Sequence, residues 1–332
     1  MITVRRWAGP FTVLLIAVLL AGCSTAQPSS SQGPVTATLP SADPESVDAQ
    51  TPQLPVTVDS ADGRRVTVTD ISRIVAFDLY GTYATTVFGL GLGAHLAGRD
   101  IAAKFPAAQS IPVINPGGTA VDVEAVLALR PTVVLTDTSM PAAAAAQRRL
   151  IDAGVPVVFF DHTRSVGNAG ALIHAVADAL GVPDAGTRLT QRVDSDLAQA
   201  KALVPHDRPA PTVAFVYARG TGLMLLGGPG SGADSLLETV GARDGGTAAG
   251  LTAPFTMVTA ESLIMAAPDA LLMMTGGLKS LGGVDGLEKT PGIAQTPAGR
   301  AHRVIDMDDG VLLSFGPRTG QVALTVAKAL YG

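Results

Sequence analysis

The segment Glu124-Ala125-Val126-Leu127-Ala128-Leu129-Arg130-Pro131-Thr132-Val133-Val134-Leu135 returns later in the chain as Glu261-Ser262-Leu263-Ile264-Met265-Ala266-Ala267-Pro268-Asp269-Ala270-Leu271-Leu272. Glutamate and proline keep the same separation in both copies. Each copy reads as a short helix stopped by a proline, then a continuous apolar run of the kind found in parallel strands buried on both faces. Each also follows an apolar strand, residues 73–77 in the first half and 212–216 in the second. The expected fold class is α/β, with two lobes of related build.

Between the halves, residues 169–180 and 185–204 carry apolar side chains at helical spacing, interrupted by Gly181-Val182-Pro183. A helical connection in place of a flexible linker holds two lobes at a nearly fixed angle and suits a cleft that closes only slightly. The expected organisation is an N-terminal lobe over residues 56–167, a helical backbone over 168–205 and a C-terminal lobe over 206–332. Ligands of open α/β sheets sit beyond the carboxyl ends of the strands. The cleft walls should therefore come from the loops at 78–83, 115–119, 137–140, 161–165, 217–222, 276–283 and 308–318.

Upstream of the lobes, Arg5-Arg6 precede an apolar run from Phe11 that ends in Leu20-Ala21-Gly22-Cys23, and Cys23 is the single cysteine of the chain. A charged start, a short apolar stretch and small residues before the cut are the physical needs of a secretion signal. The run is shorter than the roughly 20 residues of a permanent membrane helix. A cysteine at the cut resembles the lipobox of bacterial lipoproteins, which makes residues 1–22 a signal peptide and Cys23 the lipid attachment point. Residues 23–55, rich in Ser, Thr, Pro and Gln, then read as a disordered tether on the outer face of the cytoplasmic membrane. No second thiol exists for a disulfide.

The chain is 47% hydrophobic but only 4% aromatic, with a net charge of −5. That charge argues against nucleic acid as a partner. With so few aromatics, single tyrosines carry weight. On the run Val213-Ala214-Phe215-Val216-Tyr217-Ala218-Arg219, side chains two apart share a face, which puts Tyr217 and Arg219 together at the carboxyl end of a strand. A guanidinium beside a phenol favours the phenolate, a hard oxygen donor suited to ferric iron and used as a haem axial ligand. The plain alternative is a ring packed for its own sake beside an arginine snorkelling at a strand end.

The runs Val216-Tyr217-Ala218-Arg219-Gly220, Gly283-Val284-Asp285-Gly286-Leu287, Pro291-Gly292-Ile293-Ala294-Gln295-Thr296-Pro297-Ala298-Gly299, and Met307-Asp308-Asp309 through Ser314-Phe315-Gly316-Pro317-Arg318 resemble the haem-binding lipoproteins of bacterial haem importers. These belong to the helical-backbone class of substrate-binding proteins for ABC transporters. The resemblance implies two Rossmann-like lobes joined by a rigid backbone helix, the class III periplasmic-binding-protein fold. It implies haem as the transported ligand, permease and ATPase subunits as partners, a monomer, and no enzymatic activity. It also implies Tyr217 as iron ligand and Arg219 as its support. Where the most similar members have a ligating histidine, this chain has Thr119, a poor iron ligand. The second position is thus open among His162, Tyr80, Tyr83, Met140 and water.

Arg164 and Arg318, both on expected cleft loops, are candidates to pair with haem propionates through charge-assisted hydrogen bonds. In the helical-backbone class one glutamate on each lobe docks on the permease, and the pattern falls on Glu124 and Glu238. His95, His174, His206 and His302 form no metal-ligand spacing. The run Gly227-Gly228-Pro229-Gly230-Ser231-Gly232-Ala233 lacks the spacing and lysine of a phosphate-binding loop and the glycine of a nucleophile elbow. The competing readings are a receptor for a ferric siderophore or corrinoid, and a surface haem chaperone or sensor with no permease.

Overall fold

A computed structural model describes residues 1–3 and 33–332. The apolar leader and Cys23 lie outside the described residues. Among those described, no helix is long and apolar enough to cross a membrane.

The two copies of the repeat fold alike. In the first, Asp122 caps the helix Val123–Ala128 by accepting from the Ala125 amide at 3.0 Å. In the second, Thr259 stands at the same repeat position, caps the helix Ala260–Ala266 and accepts from the Ser262 amide at 3.0 Å. Such caps satisfy amides that a helix start leaves without partners. Both helices end on a non-glycine residue in left-handed conformation just before the proline, Arg130 at φ 48° and Ala267 at φ 41°. A residue preceding proline is disfavoured in the helical region, so the chain turns there and enters a strand.

The strands are β1 (Val35–Thr36), β2 (Val56–Asp59), β3 (Arg65–Val68), β4 (Ile74–Ala76), β5 (Leu96–Arg99), β6 (Val133–Thr136), β7 (Val157–Phe159), β8 (Thr212–Ala218), β9 (Met224–Gly227), β10 (Arg243–Asp244), β11 (Phe255–Met257), β12 (Ala270–Met274) and β13 (Val304–Met307). The N-terminal lobe is built on a parallel sheet of order β5-β4-β6-β7, with β2 and β3 as a separate antiparallel pair. The C-terminal lobe carries a sheet of order β1-β13-β12-β8-β9-β11, with β10 alongside the start of β8. Its β12, β13 and β8 are parallel, whereas β9 turns back antiparallel on β8 and pairs Leu225 with Tyr217. In both lobes the strand after the repeat helix pairs in parallel with the strand that opens the sheet, β6 with β4 and β12 with β8.

The expected helical connection is present as two helices, Ala169–Ala179 and Pro183–Ala202. Pro183 opens the longer one, where its missing amide costs nothing. That helix packs against Ala169–Ala179 on one side and the C-terminal helix Thr319–Tyr331 on the other, so its buried Leu189 and Val193 tie it to the N-lobe core. The two related α/β lobes expected from the repeat, and the class III architecture the resemblance implies, are what the chain adopts.

The tether expectation needs correcting for residues 33–54. Here β1 adds an edge strand to the C-terminal lobe, with Val35 against Ile305 and the Ala37 amide 2.7 Å from the Asp306 carbonyl. The chain then crosses to the N-terminal lobe, where Asp43 accepts from the Ala107 amide at 2.7 Å. It continues along the backbone helix, where Arg188 donates to the Asp48 carbonyl at 2.9 Å and Gln50 accepts from the Ala185 amide at 2.9 Å. Low hydrophobicity does not signal disorder when the backbone itself supplies the bonds.

Candidate functional site

A cavity of about 590 Å³ opens between the lobes, lined by the ends of strands and the loops that follow them. That volume lies in the range of small-molecule and cofactor sites. Its walls are largely apolar, with Ile101, Leu225, Phe255 and Leu313 among them. Leu79 and Ile101 at the cavity are 40% and 38% exposed, so apolar surface is left open to a ligand.

Tyr217, near the end of β8, and Arg219, the residue just after it, both line this cavity, on the shared face that the alternation predicted. The Arg219 guanidinium lies over the Tyr217 ring, 4.6 Å from its centroid. It is fixed there by Asp309, whose Oδ2 is 2.9 Å from Nη2, and by the Ala218 carbonyl, which accepts from Nη1 at 2.9 Å. Asp309 is itself oriented by the Gly276 amide, which donates to Oδ1 at 2.7 Å. Arg219 thus covers one face of the tyrosine ring, a cation–π contact. Nothing local in the sequence singled out Asp309, although the Met307-Asp308-Asp309 run was part of the family resemblance.

From the opposite wall, Thr119 and Tyr80 line the same cavity. Tyr80 is half-buried, and burial raises its pKa, partly offset by Arg164. Its ring is backed by the Arg164 guanidinium at 5.3 Å. Tyr83, by contrast, is not available to a ligand. It is fully buried, and its hydroxyl donates to Asp137 Oδ2 at 2.8 Å. Met140 is 2% exposed in the N-lobe core, where its sulfur accepts from Asn115 Nδ2 at 3.7 Å. His162 is exposed, pairs with the Thr138 hydroxyl through Nδ1 at 3.1 Å and is not among the residues lining the cavity.

Neither candidate arginine faces the cleft. Arg164 is buried behind Tyr80, with Nη2 2.9 Å from Asp78 Oδ2 and 2.5 Å from Asp137 Oδ2. Burial alone would lower its pKa, but Asp78, Tyr83 and Asp137 more than offset this and keep it charged. Arg318 is 4% exposed and donates to the carbonyls of Ala42 and Ser41 at 3.0 and 2.5 Å. Both are structural cations, one under the N-lobe floor and the other clasping the N-terminal strap.

The loop after β5 is held from below by Asp100, which accepts from the amides of Ala102 and Ala103 at 2.9 and 3.0 Å. Gly81, at φ 74°, lets this loop approach, since a Cβ there would stand 2.7 Å from the Ala103 nitrogen. Glu124 is exposed in the first turn of its helix and pairs with Arg149 at 2.6 Å. Glu238 is exposed in the last turn of the helix Ala233–Thr239. Among the described residues no group of three or more His, Cys, Asp or Glu could hold a metal ion.

Two lobes, a helical backbone and a cleft at the strand ends define a binding protein, and the sequence agrees. The profile of the periplasmic binding protein family matches residues 77–311, and the chain belongs to that family, whose role is binding and not catalysis. It is similar to the crystal structure of the heme binding protein HmuT, with 36% identity and a TM-score of 0.83 over 90% of this chain and 97% of that one. Variants of HmuT lacking a tyrosine, an arginine or a histidine have also been solved. The periplasmic heme-binding protein RhuT from Roseiflexus sp. RS-1 matches at 35% identity and a TM-score of 0.73 over 79% of this chain and 98% of that one. The ABC transporter substrate-binding lipoprotein YvrC of Bacillus subtilis (strain 168) is 28% identical over 98% of both chains.

Proposed function

We propose that this protein is an extracytoplasmic receptor that binds haem between its lobes and hands it to an ABC permease. The observation that carries the reading is Tyr217 on the cleft wall, with its ring stacked under Arg219 and Arg219 anchored by Asp309. A phenol oxygen facing an apolar cavity is suited to ferric haem, whereas a hydrophilic siderophore complex would call for more polar walls. Similarity to proteins named for heme binding supports the same reading.

Tyr217 is the iron ligand in this reading, and Tyr80 is the N-lobe residue placed to meet the other side of the ligand, directly or through water. Glu124 and Glu238, exposed on separate lobes, are the docking carboxylates for the permease. Anchorage through Cys23 is supported by the lipoprotein relative. The lobes are taken as 56–167 and 206–332 with the connection at 168–205, acting as a monomer. Titrating the purified chain with hemin tests the reading: a saturable Soret band with high-spin phenolate charge-transfer features is expected. Binding of ferric siderophores or corrinoids with no hemin spectrum would replace it.

A further inference from the structure

The geometry points to Lys104 as the residue that pairs with the acidic edge of the ligand, a role the buried Arg164 and Arg318 cannot fill. This rests on the haem reading above and names the cation that the ligand's carboxylates would meet.

A second cavity, of about 380 Å³, adjoins the cleft and is closed on one side by the N-terminal strap. Lys104 lines both cavities, and no other residue is common to the two linings. It is exposed, and among the described residues no carboxylate pairs with it. Arg219 is the other cation on the cleft wall, and its Nη2 is already committed to Asp309. The ammonium at the junction is therefore the free positive charge available to an anionic group entering from the cleft. Its backbone is not free to wander, since the Lys104 amide donates to the Ala102 carbonyl at 2.9 Å and the preceding turn rests on buried Asp100. Asp308 lines the adjoining cavity. Arg318 lines it too, but its guanidinium already donates to the Ala42 and Ser41 carbonyls, so the uncommitted charge is the ammonium at the junction itself.

A macrocycle whose iron sits on Tyr217 and whose carboxylates emerge on one edge would have that edge steered toward Lys104. The pairing would orient the ligand as well as hold it, because only one edge of the ring is charged. An exposed pair of this kind is worth well under that of a buried one, so the effect should be modest.

The test compares hemin with hemin dimethyl ester, in the same dilute detergent, for the wild-type chain and for Lys104→Ala and Lys104→Arg. Lys104→Ala should weaken hemin binding roughly three- to fivefold, about 1 kcal/mol, and leave the ester unchanged. Lys104→Arg should restore hemin affinity, and the charge-transfer features should be the same in all three chains. An equal loss for hemin and ester, or no loss for hemin, would overturn the pairing while leaving haem binding intact. Failure of the wild-type chain to bind hemin at all would overturn the haem reading and the pairing with it.

Discussion

The guanidinium of Arg219 lies over the ring of Tyr217, 4.6 Å from its centroid, while its Nη2 is pinned 2.9 Å from Asp309 Oδ2. Tyr217 of β8 and Arg219 just beyond its end are thus held by a third residue from the loop after β13. The arrangement covers the ring of a tyrosine that lines the cleft.

Removing only the Tyr217 phenol oxygen should abolish coordination and nothing else. Tyr217→Phe should melt as the wild type does, since the half-buried ring keeps its contacts. Hemin affinity should fall by more than about tenfold, roughly 1.4 kcal/mol, with loss of the charge-transfer band. His162→Ala, at an exposed position outside the cavity lining, should leave the spectrum unchanged.

Arg219 and Asp309 should act as a unit. Arg219→Ala and Asp309→Ala should each weaken hemin binding, and the double variant should be no worse than Arg219→Ala alone. Lysine at 219 should rescue only in part, because a compact ammonium cannot stack as a planar guanidinium does. Full additivity in hemin titrations would separate the two residues.

Arg164→Ala should be primarily a stability variant. It strands Asp78 and Asp137 as buried carboxylates, and breaking a buried pair of this kind costs about 3–5 kcal/mol. Thermal unfolding should register a large loss, with hemin coordination by Tyr217 retained in the folded fraction. A small stability change with a large loss of binding would instead place Arg164 in the ligand site.

Asp100 makes stability depend on pH. Burial, together with the nearby Asp78 carboxylate, pushes its pKa up to about 8. An unfolded aspartate titrates near 3.9. Between those values the folded chain keeps a proton the unfolded chain has lost, so this contribution is complete below about pH 4 and lost by about pH 8, at up to about 1.4 kcal/mol per pH unit. Asp100→Asn keeps an oxygen for the Ala102 and Ala103 amides and removes the titration. Melting curves should show it near wild type at pH 4 and more stable at pH 9; matching profiles would rule out Asp100 as the source.

Reversing both proposed docking carboxylates should separate binding from delivery. A Glu124→Lys, Glu238→Lys chain should bind hemin as the wild type does and fail to support haem uptake, because rim charges set encounter and specificity. Glu124 already pairs with Arg149, so its single variant should also lose about 0.5 kcal/mol or less of stability. Normal uptake at normal surface levels would remove these two residues from the docking face.

Much of the frame was legible before any coordinates. The repeat at Glu124 and Glu261 announced two lobes, and caps at Asp122 and Thr259 with left-handed turns at Arg130 and Ala267 confirm that both copies fold alike. The pairing of Tyr217 with Arg219 followed from strand alternation, which is a local property. The candidates on the N-lobe loops fared differently. A loop residue near a strand end can face either the cleft or the core, and periodicity does not distinguish them: Tyr80 lines the cavity while Tyr83 and Met140 are buried.

What the sequence by itself determined is what depends on near neighbours: helix starts and stops, the buried parallel strands, the helical connection and the shared face of Tyr217 and Arg219. Only the tertiary structure decided which charges are spent on the fold. Arg164 meets Asp78 across 86 residues, and Arg318 meets the strap at Ser41 across 277. No spacing rule reaches so far, and a polar strap with little apolar content reveals its place only once its backbone has partners to bond. Burial of an arginine is favourable only when distant carboxylates or carbonyls converge on it. That convergence belongs to the folded chain, and it removed two cations from the cleft and left Lys104 there.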